Sequence, residues 1–497
     1  MSDYVYLLGI VLAPLTGAVL CLTLARNNQL QRYLALIAAA IAWFCSLNVL
    51  SEVIRTGAPV IYRLGAWDPP YGIVLVGDSL SALFVLMAST VVLGGILYAV
   101  HCKDRCVTYP AFMTLFLCMA TGLFGGFLTG DIFTLFVFME LMVISSVILV
   151  AISDNRLGLE AALKYLLISS MGTLFLLIGI AAIYATFNTL NMADIARLLS
   201  AGERPILSVA AAVMLMCAFL LKSAVFPFHF WQPDFHTTAP TPVHAVLSSV
   251  VVKVGVYGLI RMTTLLFTEE AIVIHNILVV LGVIGIFFGS LGALRTYDAK
   301  RMLAYSTFGQ IGFILVAIGW GTPIALVGAI VYAVNHSFVK SALLMLTGVV
   351  SSRTKTKTAA LTEIGGVGHQ MIGTGLLYFL GGLALAGVPP LNGFISKVTL
   401  IQGGISAQSW IVLGLTVGAG LITLMYMMRT WQLIFQRKPD EQTVGLKDYG
   451  DSLLAPALLI AICVVLGLYA TPLIEFVNGV VTYLGTPQIY ISAVLGG

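Results

Sequence analysis

Charge is the scarcest property of this sequence. Asp, Glu, Lys and Arg make up 9% of its 497 residues, where a soluble globular chain carries about 25%. That is too little charge to coat a water-facing surface of this size. No basic run exceeds two residues, as at Arg437-Lys438, and the net charge is only +4. Neither gives a nucleic acid an electrostatic footprint, so no nucleic-acid partner is expected. Cysteine is sparse as well, with seven residues at positions 21, 45, 102, 106, 118, 217 and 463. Cys102 and Cys106 form a C-x3-C without a second half, so zinc and iron–sulfur spacings are missing and a disulfide framework is not expected. The sequence has no Walker loop, no Rossmann glycine pattern and no histidines spaced to hold haem between two helices. No cofactor, no metal and no redox chemistry of its own are expected.

What is abundant is apolar. Hydrophobic residues account for 59% of the chain, and they fall in runs of the length that crosses a hydrocarbon core. The fold class read from this is all-α, a polytopic membrane protein in a lipid bilayer. Roughly fourteen spans are predicted, at 4–24, 31–51, 73–100, 108–129, 131–152, 158–187, 207–229, 240–263, 271–293, 299–319, 322–350, 370–404, 408–435 and 453–475. The first run starts at Tyr4 without a basic segment before it and continues past Leu24, which reads as a retained helix. The twelfth is too long for one straight span and holds Gly387-Val388-Pro389-Pro390-Leu391-Asn392-Gly393, so it reads as a broken helix. The seventh is broken too, at Phe226-Pro227-Phe228.

Basic residues set the orientation. Of the 25, fifteen follow odd-numbered spans (Arg26, Lys355 and Lys357 among them) and five follow even-numbered ones: Arg55, Arg63, Arg197, Arg204 and Arg261. The positive-inside rule places the first group in the cytoplasm, and an even span count then puts both termini outside. An internal repeat is also expected. Spans 4–8 and 9–13 are five helices each, and the two helix breaks stand about 162 residues apart. An odd number of helices per copy inverts the second copy. The organisation is therefore 1–107 for helices 1–3, 108–263 for the first repeat, 264–435 for the second, and 436–497 for helix 14 and the tail.

The remaining five basic residues, Lys164, Lys222, Lys253, Lys340 and Lys397, lie within spans. A lysine at the bilayer centre costs about 2.5–3.5 kcal/mol on insertion scales, a cost that asks for a function. Lys164 sits near its helix start, where snorkelling explains it equally well. The other four sit deeper. Glu140 is the one carboxylate in the middle of a span. Alone it would favour its neutral form, whereas beside a lysine both partners hold charge. A lysine whose partner approaches and withdraws is a proton switch. His336 and Lys340, at i and i+4, share a helix face and suit a relay. His244 opens the eighth span but is out of phase with Lys253, so the two face different neighbours. His229 and His236 border the seventh break. Asp78 and Asp131, near span ends, read as capping or packing residues. Unwound backbone at membrane depth needs protein or water around it, which places hydrated cavities near Lys222 and Lys397.

Four stretches carry a resemblance: Gly130-Asp131-Ile132-Phe133 through Phe138-Met139-Glu140; Leu221-Lys222-Ser223-Ala224-Val225-Phe226-Pro227-Phe228-His229-Phe230-Trp231; Ala239-Pro240-Thr241-Pro242-Val243-His244-Ala245; and Pro389-Pro390-Leu391-Asn392-Gly393-Phe394-Ile395-Ser396-Lys397. They resemble the antiporter-like subunits shared by respiratory complex I and Mrp-type cation/proton antiporters, over nearly the whole chain. Tyr71-Gly72-Ile73-Val74-Leu75-Val76 followed by Asp78 is most similar to the D-type Mrp branch. The resemblance implies fourteen helices with two inverted five-helix repeats. It also implies proton-transfer roles for Glu140, Lys222, Lys253, His336, Lys340 and Lys397, with His244, His229 and Lys164 secondary. The implied function is proton translocation in a multi-subunit Na+ (or K+)/H+ antiporter, within a bacterial-type cell membrane and among other membrane subunits. Two alternatives stand beside it, a proton-pumping subunit of complex I or a membrane-bound hydrogenase, and a self-sufficient carrier of a small organic solute. The lateral helix of the largest complex I subunit would need a C-terminal extension beyond the roughly twenty residues that follow the last span.

Overall fold

The computed structural model describes residues 3–24, 27–202, 205–354, 358–438, 446–447 and 450–496. Arg26, Arg204, Lys355 and Lys357, whose charges bear on the predicted orientation, lie outside them. The chain is mostly helical. Among the described residues ten helices are long and apolar enough to cross a membrane, or eleven if the bent pair Leu454–Leu468 and Thr471–Leu484 forms one span. Three shorter apolar helices accompany them, Phe112–Leu128, Ile206–Lys222 and Ile372–Ala386.

Short polar side chains start these helices. Asn27, Asp78, Asp131, Asn155, Asp298 and Thr322 each accept a bond from a backbone N–H of the first turn, satisfying donors that lipid could not. Asp78 and Asp131 therefore cap helices, as read from the sequence.

The spans sort by polarity. The apolar stretches that define the spans Thr241–Leu266 and Pro323–Arg353 are buried throughout, whereas only 33% of that in Ala271–Arg295 faces the interior. The first two carry His244, Lys253, His336 and Lys340, and the third is the most apolar span. Lipid is as apolar as leucine, so ionisable helices move to the bundle centre and oily ones to its rim. Close packing needs small residues. A Cβ added at Gly289 would lie 2.4 Å from Gly309 N, and one at Gly312 would lie 2.6 Å from Gly282 O. Helices Ala271–Arg295 and Ala299–Gly319 thus meet backbone to backbone.

Several expectations change. The third span starts at Ser79 rather than 73, because Val74–Gly77 pairs antiparallel with Val60–Arg63 in a small two-stranded sheet on an otherwise helical fold. Those eight residues were too few to register against helix-length periods. The seventh helix stops at Lys222, five residues before Pro227. Ala224 then takes a left-handed φ of 54°, and the chain re-enters helix at Trp231–Thr238. The twelfth stops at Ala386, capped by Gly387 at φ 82°, and restarts at Asn392. The fourteenth is not straight over 453–475. It bends by 79° after Leu468, and Thr471–Leu484 and Pro487–Leu495 are helical too. Arg261, grouped with the outer loops, is a buried residue paired with Asp78. An arginine two residues from a span's apparent end belongs to the interior when a buried carboxylate faces it.

Candidate functional site

Three helices bring the first ionisable group together. Glu140 projects from Ile132–Ala151, Ser169 and Thr173 from Arg156–Phe187, and Lys222 is the last residue of Ile206–Lys222. The helix ends there as the backbone turns left-handed at Ala224, and Pro227, without an N–H, cannot resume the ladder. A lysine in the last turn also faces the negative end of the helix dipole. Lys222 Nζ lies 3.7 Å from Glu140 Oε1, with side-chain exposures of 4% and 26%. It donates to Ser169 Oγ at 2.7 Å and reaches Thr173 Oγ1 at 3.4 Å, while Thr173 donates to Glu140. One hydroxyl thus bridges cation and anion.

The second group lies where the eighth span begins. His236 and His244 stack with ring centroids 5.1 Å apart and planes 15° apart, and both are buried. Among the described residues neither ring nitrogen of His236 has a hydrogen-bond partner, nor does His244 Nε2. Buried polar atoms of this kind need hydrogen bonds, and in membrane interiors water supplies those that protein does not. The sequence placed His236 at the break but could not show that it faces His244.

The centre of the bundle holds the third group. A π-helical turn over Leu247–Val251 precedes Lys253, of a kind frequent at functional sites. Lys253 Nζ lies 2.6 Å from His336 Nδ1 on Pro323–Arg353, and both residues are buried. His336 therefore meets Lys253 across helices, while Lys340, one turn on, turns toward Ala299–Gly319. Lys340 donates to Leu303 O at 3.1 Å and Ser306 Oγ at 2.8 Å. Polar groups continue from there. Ser306 Oγ is 2.8 Å from Tyr426 OH, Gln310 Nε2 reaches that hydroxyl at 3.4 Å, and Tyr332 donates to Gln310 Oε1 at 2.5 Å. None of Lys253, Lys340 and Lys397 has a carboxylate within ion-pair distance among the described residues.

Lys397 stands on Asn392–Ser406, just past the second break. It donates to Ala386 O at the end of the broken helix and to Gly420 O at 3.4 Å. It borders a cavity of about 280 Å³ shared with Phe313, Gly387, Phe394 and Thr416. Asn335, beside His336, donates to Asn392 O at 3.1 Å and Ser396 Oγ at 2.9 Å, tying the central helix to the one that carries Lys397.

Two residues expected near the row fall outside these groups. Lys164 pairs with Glu160 at 2.7 Å and Asp234 at 3.3 Å, with its side chain 45% exposed. His229 stacks on Phe308 at 4.6 Å rather than on another titratable group. Ser169, Thr173, Gln310, Asn335 and Tyr426 do not stand out in the sequence. Polar residues in mid-span are their only signal, and many such residues merely bond back to their own helix.

The family described as "NADH:quinone oxidoreductase/Mrp antiporter, TM" matches residues 129–423, a stretch that contains Glu140 and all five span lysines. The D subunit of the Na(+)/H(+) antiporter of Alkalihalophilus pseudofirmus is 32% identical over 495 residues, covering 98% of this chain and 99% of that protein. The N subunit of the NADH-quinone oxidoreductase of Desulforudis audaxviator is 34% identical over 426 residues, 84% of each chain. Among solved structures, a chain of the Mrp complex from Dietzia sp. DQ12-45-1b matches the whole of both chains with a TM-score of 0.91 at 24% identity, a likeness of fold. A chain of an archaeal membrane-bound sulfane sulfur reductase matches with a TM-score of 0.88 at 28% identity, over 98% of this chain and 99% of that one. The chain belongs to the membrane-subunit family common to NADH:quinone oxidoreductases and Mrp antiporters.

Proposed function

We propose that this chain is the D-type, proton-translocating subunit of a multi-subunit Na+(K+)/H+ antiporter in a bacterial-type cell membrane. The observation that carries the reading is the buried Lys253–His336 contact. Two bases share one hydrogen bond, with no carboxylate of the described residues at ion-pair distance to fix the charge on either, and a proton held so can move between them. Protons pass along Lys222, Lys253, His336, Lys340 and Lys397. The Glu140–Lys222 pair gates the row, and His236 and His244 stand beside it. His229 and Lys164 serve at its margins, and neighbouring membrane subunits feel or drive the change.

The chain is organised as fourteen spans with two inverted five-helix repeats, over 108–263 and 264–435, and with both termini outside. Matched landmarks support the repeat. Asp131 and Asp298 each cap a helix and bridge a distant strand-like residue, Asn191 in one case and Ala360 in the other. Helices break after Lys222 and after Ala386.

The test is antiport by the intact complex in proteoliposomes, read as Na+-driven collapse of a pH gradient. Lys253→Ala and Lys222→Ala should abolish it while the complex still assembles. Full activity in assembled Lys253→Ala would overturn the reading. The likeness to the oxidoreductase relative and to the sulfane sulfur reductase favours a second reading, a proton-pumping subunit of a redox complex. Purification from native membranes separates the two. Copurifying flavin or iron–sulfur subunits would select the second.

A further inference from the structure

Away from the ionisable row, three cavities run end to end along one flank of the bundle. The first, of about 510 Å³, lies between Asn28–Thr56, Ser79–Val100 and Leu454–Leu468. The second, of about 360 Å³, shares Trp43, Thr90, Ile462 and Leu466 with it and adds Leu83, Leu86, Val334 and Phe338. The third, of about 290 Å³, shares Ile54 and Phe476 with the second and opens beside Gly57, Ser79, Glu475 and Tyr483. The walls of the first two are apolar, and the one polar pair at their junction, Trp43 Nε1 and Thr90 Oγ1, is closed on itself at 3.0 Å.

Along Ser79–Val100 the apolar part reaches from Leu83 to Leu97, about 21 Å at helical rise. That exceeds one leaflet's half of a hydrocarbon core about 30 Å thick, so a whole acyl chain fits lengthwise. The mouth is different in kind. Glu475 is exposed and has no ion-pair partner among the described residues. The hydroxyls of Ser79 and Tyr483 beside it are shielded and have no hydrogen-bond partner among the described residues. Glu475 and Tyr483 belong to Thr471–Leu484, the helix set at 79° to its predecessor. A helix turned that far from a crossing helix runs closer to the membrane plane than to its normal.

We propose that this groove is a binding site for a phospholipid whose headgroup carries an ammonium. One acyl chain fills the channel past Trp43 and Leu86. The ammonium pairs with Glu475, at the mouth that Ser79 and Tyr483 also line. Charge complementarity selects this occupant, since a lone carboxylate at the mouth repels an anionic headgroup and attracts a cationic one. The site bears on transport through Val334 and Phe338, which bracket His336 on the same helix and line the second cavity. The lipid holds that helix from its outer face. Lipid binding itself does not rest on the transport reading.

The test uses the intact complex in vesicles containing phosphatidylethanolamine and phosphatidylglycerol in equal parts, with one of the two bearing a photoreactive acyl chain. Cross-linked peptides are then mapped. The phosphatidylethanolamine probe should label the segments around Trp43, Leu86 and Ile462. Glu475→Gln should lower that labelling about tenfold, as expected for loss of a charge-assisted contact. Gly94→Phe, which fills the first cavity, should lower it as much. Gly94→Ala should leave labelling intact, since its Cβ would meet Leu459 at 3.5 Å, an ordinary contact. Labelling that is absent from these segments, equal for the phosphatidylglycerol probe, or unchanged in Glu475→Gln would overturn the proposal, as would a neighbouring subunit's segment cross-linked in the groove. If Gly94→Phe fails to assemble, Glu475→Gln decides alone.

Discussion

Lys222 and Glu140 are joined through a third residue as well as directly. Their charged atoms stand 3.7 Å apart, while Thr173 donates to the carboxylate and lies 3.4 Å from the ammonium. The threonine keeps the pair connected at a separation longer than a tight ion pair.

Thr173→Val should therefore weaken the gate without unfolding it. Its volume matches, and one hydrogen bond to each charged group is lost. Antiport should fall about tenfold, with assembly unchanged and Thr173→Ser close to normal. Proteoliposome transport and size-exclusion profiles of the complex check both. Unimpaired transport in Thr173→Val would remove the bridge from the mechanism.

The Asp78–Arg261 pair makes a different prediction. Arg261 Nη2 lies 2.5 Å from Asp78 Oδ2, and both side chains are almost fully buried. The arginine also donates to Tyr257 OH at 3.1 Å. Arg261→Leu alone strands a buried carboxylate and should cost about 3–5 kcal/mol. Asp78→Asn combined with Arg261→Leu should cost clearly less, because no unpaired charge remains. Thermal unfolding of the assembled complex gives the comparison. Equal losses in the single and double variants would contradict it.

Gly387 is held by its neighbour as well as by its backbone. It has φ 82°, and a Cβ there would sit 2.5 Å from Lys397 Cδ. Gly387→Ala should strain the cap by about 1–2 kcal/mol and push the Lys397 side chain off Ala386 O. Transport should drop more than stability does. A variant with normal transport would show that the position of Lys397 is not critical.

Cys106 lies in the Arg105–Thr108 turn between spans. Burial pushes its thiol up to about 12, and the Asp104 carboxylate adds to the rise. A raised thiol stays protonated as pH climbs through the neutral range, and only the thiolate attacks. Maleimide labelling at pH 8 should be more than about a hundredfold slower than for an unperturbed thiol, still accelerating above pH 9. A rate plateau below pH 9 would refute it.

Much of the site was legible because membranes make ionisable residues conspicuous. Lys222, Lys253, Lys340, Lys397 and Glu140 stand out of apolar runs without any alignment. Their partners did not. Nothing in the spacing ties Lys253 to His336, 83 positions away, and the i,i+4 rule drew attention to Lys340 instead. Thr173 and Tyr426 look like dozens of other span residues until helix rotation is known. The hairpin at Val60–Arg63 and Val74–Gly77 escaped for lack of length, and Arg261 was misplaced because its partner Asp78 lies 183 residues away.

The sequence alone determined the solvent of this protein, the presence of its broken helices and the identity of its buried charges. Composition and run length report directly on transfer from water to lipid, and proline and glycine report on backbone geometry. Tertiary structure alone decided which of those charges touch. A helix fixes spacing along its own axis but leaves its rotation and neighbours open, and those are set by packing over the whole bundle, such as the glycine contact between Ala271–Arg295 and Ala299–Gly319.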